Sequence, residues 1–353
     1  MAFATLTVDC DTISQNIQAI RAGLSASTRV MIIVKADAYG LGAVAVATHI
    51  AGMVDYFGVA TISEALDLRD QGIQTPILLL SEPLIADIPI AVAHDIDITL
   101  YHPSTIAAVN DYVQGRKHGI RTHLKVDTGM CRLGVPWDAT DAVIAQWHAT
   151  NHRVEKVGMY SHYANSDQPA HPLNAEQLAR FLPIANDSSI IYHFSNSDAV
   201  RHFHHFGMVR VGWAAYKNSV TLTAPVRAVR DIPSGTSVGY GSTFVSRKPM
   251  RMAVVGMGYA DGLSTHLSNN GYFRIGEYTC PIIGRVCMDM VMVALPEGAD
   301  VGVGDVAVIL SPDDQPGMNV VDVAEATGEN PREVLCRLSA RVMREYLGRR
   351  YDL

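Results

Sequence analysis

The sequence predicts an α/β chain in two parts: an N-terminal (β/α)8 TIM-type barrel over residues 10–220, then a mainly β C-terminal domain over residues 221–353, which the N-terminal strand 1–9 joins. Three observations predict it. Eight short apolar, β-branched runs recur at regular spacing, segments with helical periodicity lie between them, and after Ala215 the texture changes to strand-like pieces punctuated by Gly and Pro.

In chain order the runs are VMIIVKA (30–36), YFGVAT (56–61), ILLLS (77–81), DITLY (97–101), HLKVDTG (123–129), KVGMYSHYA (156–164), IYHFSNS (191–197) and MVRVGWAA (208–215). Between them, SEALDLRDQG (63–72) and ATDAVIAQWHAT (139–150) carry apolar residues at helical spacing. Strands alternating with helices imply a parallel sheet, and eight such units fit a closed barrel. An open doubly wound sheet shares the same pattern. Beyond Ala215, APVRAVRDI, TSVGYGSTF, MRMAVVGMGYADG, YFRIGEYTCPIIGRVCMDMVMVAL and GDVAVIL read as strands with little helix, and no repeat or low-complexity linker separates the parts.

Composition narrows the function. The chain has 353 residues, 48% of them apolar, enough for a substantial core. Lys and Arg total 28 against 35 Asp and Glu, a formal charge of -7 without long blocks of one sign, which argues against nucleic acid and for a small-molecule partner. No run approaches the ~18 apolar residues that cross a bilayer, and MAFATLTVDC lacks the regions of a signal peptide, so no membrane association and a cytoplasmic location are expected. Five irregularly spaced cysteines suit neither a disulfide framework nor a zinc site, and HFHHF (202–206) has no acidic or thiol partner nearby, so no metal is expected.

Barrels of this kind build their sites at the C-terminal ends of the strands. The polar residues there are Lys35 on the first strand, Lys125 and Asp127 with Arg132 beyond them on the fifth, His162 on the sixth, Asn196 and Ser197 on the seventh, and Arg210 on the eighth. A lysine at a barrel mouth can pair with a carboxylate, bind an anion or, when desolvated, act as a Schiff-base nucleophile. Residue chemistry by itself leaves all three open.

VKADAYGLG (34–42) resembles the pyridoxal phosphate attachment motif of the alanine racemases, and matching motifs recur in order to the C-terminal region. The resemblance implies pyridoxal 5'-phosphate as cofactor on Lys35 and a small amino acid as substrate. HLKVDTGMCRLG (123–134) implies that Arg132 meets the cofactor ring oxygen and the substrate carboxylate, with Lys125 either carbamylated or simply paired with Asp127. GMYSHYANSD implies His162 against the pyridine ring. HFSNS and MVRVGW imply Asn196, Ser197, Arg210, Gly212 and Trp213 around the cofactor, with Ser197, Tyr39 and the amides of Gly212 and Trp213 on its phosphate. Arg210 is implied to face the pyridine nitrogen, which limits side reactions because an arginine keeps its proton. VGYGSTF implies Tyr240 as the base opposite Lys35, contributed by the other subunit of a homodimer, so that the two residues exchange the α-proton of an external aldimine. GYADG and GRVCMDM imply Tyr259 at the entrance and Met288, through its backbone amide, on the substrate carboxylate.

Three positions depart from the family pattern. Trp213 replaces a smaller apolar residue, the stretch from Arg210 to Tyr240 is short, and NPREVLC (330–336) has Arg332 where a tyrosine is usual. Arg332 either pairs with the phosphate, which leaves alanine as substrate, or reshapes the pocket for serine or a larger or charged amino acid. A barrel-type pyridoxal phosphate decarboxylase is the alternative of a different class, but it would want an acidic residue where Arg210 stands.

Overall fold

The structure, a computed structural model, describes residues 4–315 and 317–348. After β1 (Thr5–Asp9) and α1 (Cys10–Ala22), strands and helices alternate: β2 (Arg29–Ile33), α2 (Ala43–Ile50), β3 (Tyr56–Val59), α3 (Ile62–Asp70), β4 (Ile77–Leu79), α4 (Ile88–Ala93), β5 (Asp97–Leu100), α5 (Pro103–Val113), β6 (Ile120–Asp127), α6 (Thr140–His148), β7 (Val154–Tyr160), α7 (Pro172–Phe181), β8 (Ile191–His193) and β9 (Met208–Val211). Each of β2 to β9 pairs in parallel with its neighbours, and β9 closes on β2 with Met208 opposite Arg29. This is the expected closed barrel. The strands β3, β4 and β5 are buried at every position, because helices cover the outside while side chains fill the inside.

The first predicted strand needs correction at its end. It stops at Ile33, and Lys35 opens a turn in which Ala36, Asp37, Ala38 and Tyr39 all have φ between 51° and 60°, followed by Gly40 at 84°. Left-handed helical backbone costs about 1–2 kcal/mol per L-residue, so a whole turn of it persists only where surrounding groups hold it. Three bonds do so. The Ala38 N–H donates to Val34 O (2.8 Å), the Ala43 N–H to Asp37 Oδ1 (2.7 Å) and the Ala36 N–H to Glu64 Oε1 (2.8 Å). Glu64 is also the third residue of the capping box of α3, where Oε2 accepts from the Ala60 and Thr61 N–H groups.

The chain divides into two compact units. One is the barrel, Ser14–Ala38 with Ala43–Ala215; the other takes the N-terminal segment through Ile13, Tyr39–Gly42 and the chain from Tyr216. The second unit is mainly β. Its longer strands are β10 (Val220–Ile232), β11 (Met250–Val255), β12 (Tyr272–Ile275), β13 (Tyr278–Pro281), β14 (Val291–Leu295), β15 (Val306–Leu310) and β16 (Met343–Leu347), with the helices α8 (Val320–Thr327) and α9 (Pro331–Cys336). Strand β1 lies in this sheet, antiparallel to β10 with Thr5 opposite Thr223 and parallel to β16. Residues 1–3 of the expected N-terminal strand lie outside the described residues, as do 349–353. Val238, Met252, Ile283 and Met292 form one of its apolar clusters.

Candidate active site

Side chains on a strand alternate between its faces, so Lys125 shares a face with His123 and both point into the barrel. Lys125 is 6% exposed, and its Nζ lies over the Tyr160 ring, 4.4 Å from the centroid. Burial pushes its amine well below the ordinary lysine value, and the charges of Arg210, Arg132 and Lys35 push the same way against Asp127. Asp127 is used elsewhere. Its carboxylate accepts four backbone N–H groups, Gly129, Met130 and Cys131 on Oδ1 and Arg132 on Oδ2, which folds the following loop around it and sets the start of Arg132.

Arg210 on β9 is buried and held by five acceptors. Its Nη1 donates to His193 Nδ1 (2.9 Å) and His193 O (2.8 Å), and Nη2 to Ser161 O (2.6 Å), His162 Nδ1 (3.0 Å) and Phe194 O (3.2 Å). Burial brings the guanidinium down to about 10, so it is still charged at neutral pH. His162 is pushed well below the ordinary histidine value by burial first and then by Arg210, Lys125, Arg132 and Lys35. It is therefore a neutral ring, and because Arg210 can only donate, Nδ1 is the acceptor. The effect of Lys35 on both His162 and Lys125 places its amine in the same electrostatic neighbourhood.

The ends of β8 and β9 meet through Ser197, whose Oγ accepts from the Gly212 N–H (2.9 Å) and the Ala214 N–H (3.4 Å), with Trp213 between them. Asn196 braces its own loop, taking bonds from Ser166 Oγ (2.8 Å) and from the Asp198 and Ala199 N–H groups. The barrel unit thus brings together Lys35, Lys125, Arg132, His162 and Arg210, and beside Ser197 it places Asn196, Gly212 and Trp213.

The remaining candidates lie in the β unit. Tyr39 packs its ring 5.4 Å from that of Tyr216; burial raises its hydroxyl pKa, and the charge of Arg332 is the strongest opposing influence. Tyr240 sits in a turn between two left-handed glycines, Gly239 and Gly241, and is 74% exposed. It lines a cavity of about 500 Å³ with Tyr259, Arg285 and Asn269. Tyr259 and Met288 are tied by backbone bonds, Tyr259 N–H to Cys287 O and Ala260 N–H to Met288 O, both 3.0 Å. A Cβ on Gly258 would stand 2.3 Å from Met288 O, so this approach requires glycine there.

Sequence reasoning missed the residues that pack behind these candidates and hold them: Glu64, Tyr160, Ser161, His123 and His193. The period-2 alternation along HLKVD and IYHFSNS was the available signal, since it puts His123 and His193 on the interior face. In the HFHHF loop, Phe203 stacks on Tyr163 and Phe206 meets Phe181 edge-on, while His202 and His204 are exposed.

A family model described as "Alanine racemase, N-terminal domain" matches residues 8–220, and "Alanine racemase, C-terminal domain" matches residues 219–346. The chain belongs to the alanine racemase family. Alanine racemase 2 of Caldanaerobacter subterraneus subsp. tengcongensis is 32% identical, over 97% of this chain and 94% of that one. Among solved structures, alanine racemase from E. faecalis superposes with a TM-score of 0.91 at 29% identity, covering 98% of each chain. Alanine racemase from Bartonella henselae with covalently bound pyridoxal phosphate gives 0.90 at 28% identity, covering 98% of this chain and all of that one (100%). The two family models together span residues 8–346, barrel and β unit alike.

Proposed function

We propose that this chain interconverts L- and D-alanine with pyridoxal phosphate, and that Lys35 and Tyr240 move the α-proton on opposite faces of the substrate. The observation that carries the reading is Arg210: a charged guanidinium locked by five acceptors, beside a neutral His162 that also feels the charge of Lys35. The residues fit the cofactor by their chemistry. Lys35 is an amine able to bond an aldehyde, Arg210 is a fixed cation for a ring nitrogen, and Ser197 with the amides beside it suits a phosphate. Pyridoxal phosphate, when bound, supplies the electron-withdrawing ring that makes the substrate's α-hydrogen acidic.

The chain's own part is to orient the substrate and handle its proton. Arg132, anchored at its N–H by Asp127, supports the substrate carboxylate, and a carbamate on Lys125 would give its guanidinium an anionic partner. Tyr240 is 74% exposed on its own chain, which is no place to protect a proton from water. Tyr259, which lines the same cavity, and Met288 and Met290 are likewise half-exposed, so a second copy of the chain covering them together with Tyr240 would both bury apolar surface and complete the site as a homodimer. Arg332 acts electrostatically on Tyr39, one of the residues implied to reach the phosphate, rather than standing apart from it. This favours phosphate support and leaves alanine as substrate over serine or a charged amino acid. Initial rates on a panel of L-amino acids with chiral product analysis test the assignment. Alanine is expected to turn over fastest; a faster rate on another residue, or carbon dioxide as product, would overturn it. No helix among the described residues is long and apolar enough to cross a membrane, in keeping with the cytoplasmic location we propose.

A further inference from the structure

The barrel interior carries a run of polar side chains that the proton chemistry above does not use. Arg210 leads to His193, and His193 leads to His123, whose Nδ1 is 3.0 Å from His193 Nε2. His123 Nε2 then faces Asp97 Oδ2 at 3.6 Å. All four residues are 3% exposed or less. Asp97, at the first position of β5, also takes Arg121 Nε at 2.6 Å and the Tyr56 hydroxyl at 3.1 Å. The run is built into the fold. A Cβ on Gly158 would stand 2.3 Å from His123 Nδ1, so the neighbouring strand gives up its side chain to admit the ring.

The direction of every proton along this run follows from its two ends. A guanidinium only donates, so His193 Nδ1 is an acceptor, and the proton of the neutral ring is on Nε2. That Nε2–H donates to His123 Nδ1, which places the His123 proton on Nε2, aimed at the carboxylate. Burial and Arg210 keep His193 well below its ordinary value, in keeping with a neutral ring. The His123 Nε2 has no hydrogen-bond partner among the described residues and is closed off from water, so the charge of Asp97 is what faces it. Stacking of Tyr160 on His193, 4.5 Å between centroids and 14° from parallel, holds the ring plane while the hydrogen bonds set its protonation.

We propose that Asp97 and His123 are positioning residues for Arg210: from the far end of the barrel they fix the tautomer of His193, and His193 holds the guanidinium in place. The inference rests on the racemase reading for its catalytic meaning, but its test does not. In protein labelled with nitrogen-15 at histidine, both His123 and His193 are expected as neutral rings protonated on Nε2. His123→Gln keeps an acceptor for His193 and a donor toward Asp97, and is expected to retain the His193 tautomer and activity within about threefold. His123→Phe strands the His193 Nε2–H, and kcat is expected to fall on the order of tenfold with KM nearly unchanged, while the His193 Nδ1 resonance shifts as its bond to Arg210 loosens. Asp97→Asn, which keeps the size and loses the charge, is expected to fall between the two. A His193 protonated on Nδ1, or Phe and Gln variants alike in both resonance and kcat, would overturn the proposal. The assigned tautomers in a protein that does not racemise alanine would overturn the functional reading and leave this one standing.

Discussion

Lys125 shows how neighbours decide a side chain's chemistry. An amine buried over Tyr160 and pressed by three cations is held well below the ordinary lysine value, which enlarges its neutral share, and a neutral amine is the form that reacts with carbon dioxide. Native mass measurement is expected to show the added mass of one carbon dioxide per chain, lost in Lys125→Ala; an unmodified mass in bicarbonate buffer would mean that Lys125 works as a bare amine. Lys35 and Tyr240 separate by a different pair of measurements. After borohydride reduction, Lys35→Ala is expected to retain no covalent cofactor, whereas Tyr240→Phe keeps full cofactor and loses a factor on the order of 100 in kcat. Equal loss of cofactor in both would make Tyr240 structural. The motifs made Lys35, Arg132 and Arg210 readable directly, because each stands in a run whose residue order is distinctive. His123 and His193 were not readable as site residues, since an interior histidine and a solvated one look the same until the facing strands are known.

The left-handed turn after Lys35 is the longest run of positive-φ non-glycine residues among the described residues, and its supports are local enough to test. Gly40 has φ of 84°, and a Cβ there would stand 2.5 Å from Leu335 O within the β unit. Gly40→Ala is therefore expected to destabilise by about 3 kcal/mol, read from urea unfolding. Glu64→Ala removes the α3 cap and the acceptor for the Ala36 N–H together, with an expected loss of about 1–2 kcal/mol. If the turn were held chiefly by its own sequence, Glu64→Ala would cost no more than an ordinary surface change. The two glycines of KADAYGLG announced a turn; its hand lay beyond local reading, because the four residues Ala36, Asp37, Ala38 and Tyr39 adopt it only under restraint from α3 and Leu335.

For the protein as a whole, buried neutral rings impose a pH dependence on folding. His162 and His193 have folded values well below the usual histidine value, while in the unfolded chain they take up protons near about 6.5. The unfolded state thus binds more protons below that pH, so stability is full above it and falls as the pH drops, by up to about 1.4 kcal/mol per pH unit for each ring. A second loss follows lower down in the β unit. Glu329 is held down to about 2 by Arg337, with Ser264 also donating to it, so its contribution is present above the ordinary glutamate range and fades as pH falls toward about 2. Chemical denaturation across pH 4 to 8, roughly spanning the histidine range, checks the first. A flat profile would mean that His162 and His193 take up protons in the native state as they do in the unfolded chain.

The alternation of eight apolar runs with helical segments, the change to Gly- and Pro-punctuated strands and the ordered motifs by themselves determined the barrel, the β unit and the family, because these depend on periodicity and local residue order. Tertiary structure alone decided the lowered basicity of Lys125, the neutral state of His162, the hand of the turn after Lys35, and the line of side chains from Arg210 to Asp97. Those depend on desolvation and on partners that arrive from other strands, and neither is written in any one stretch of the chain.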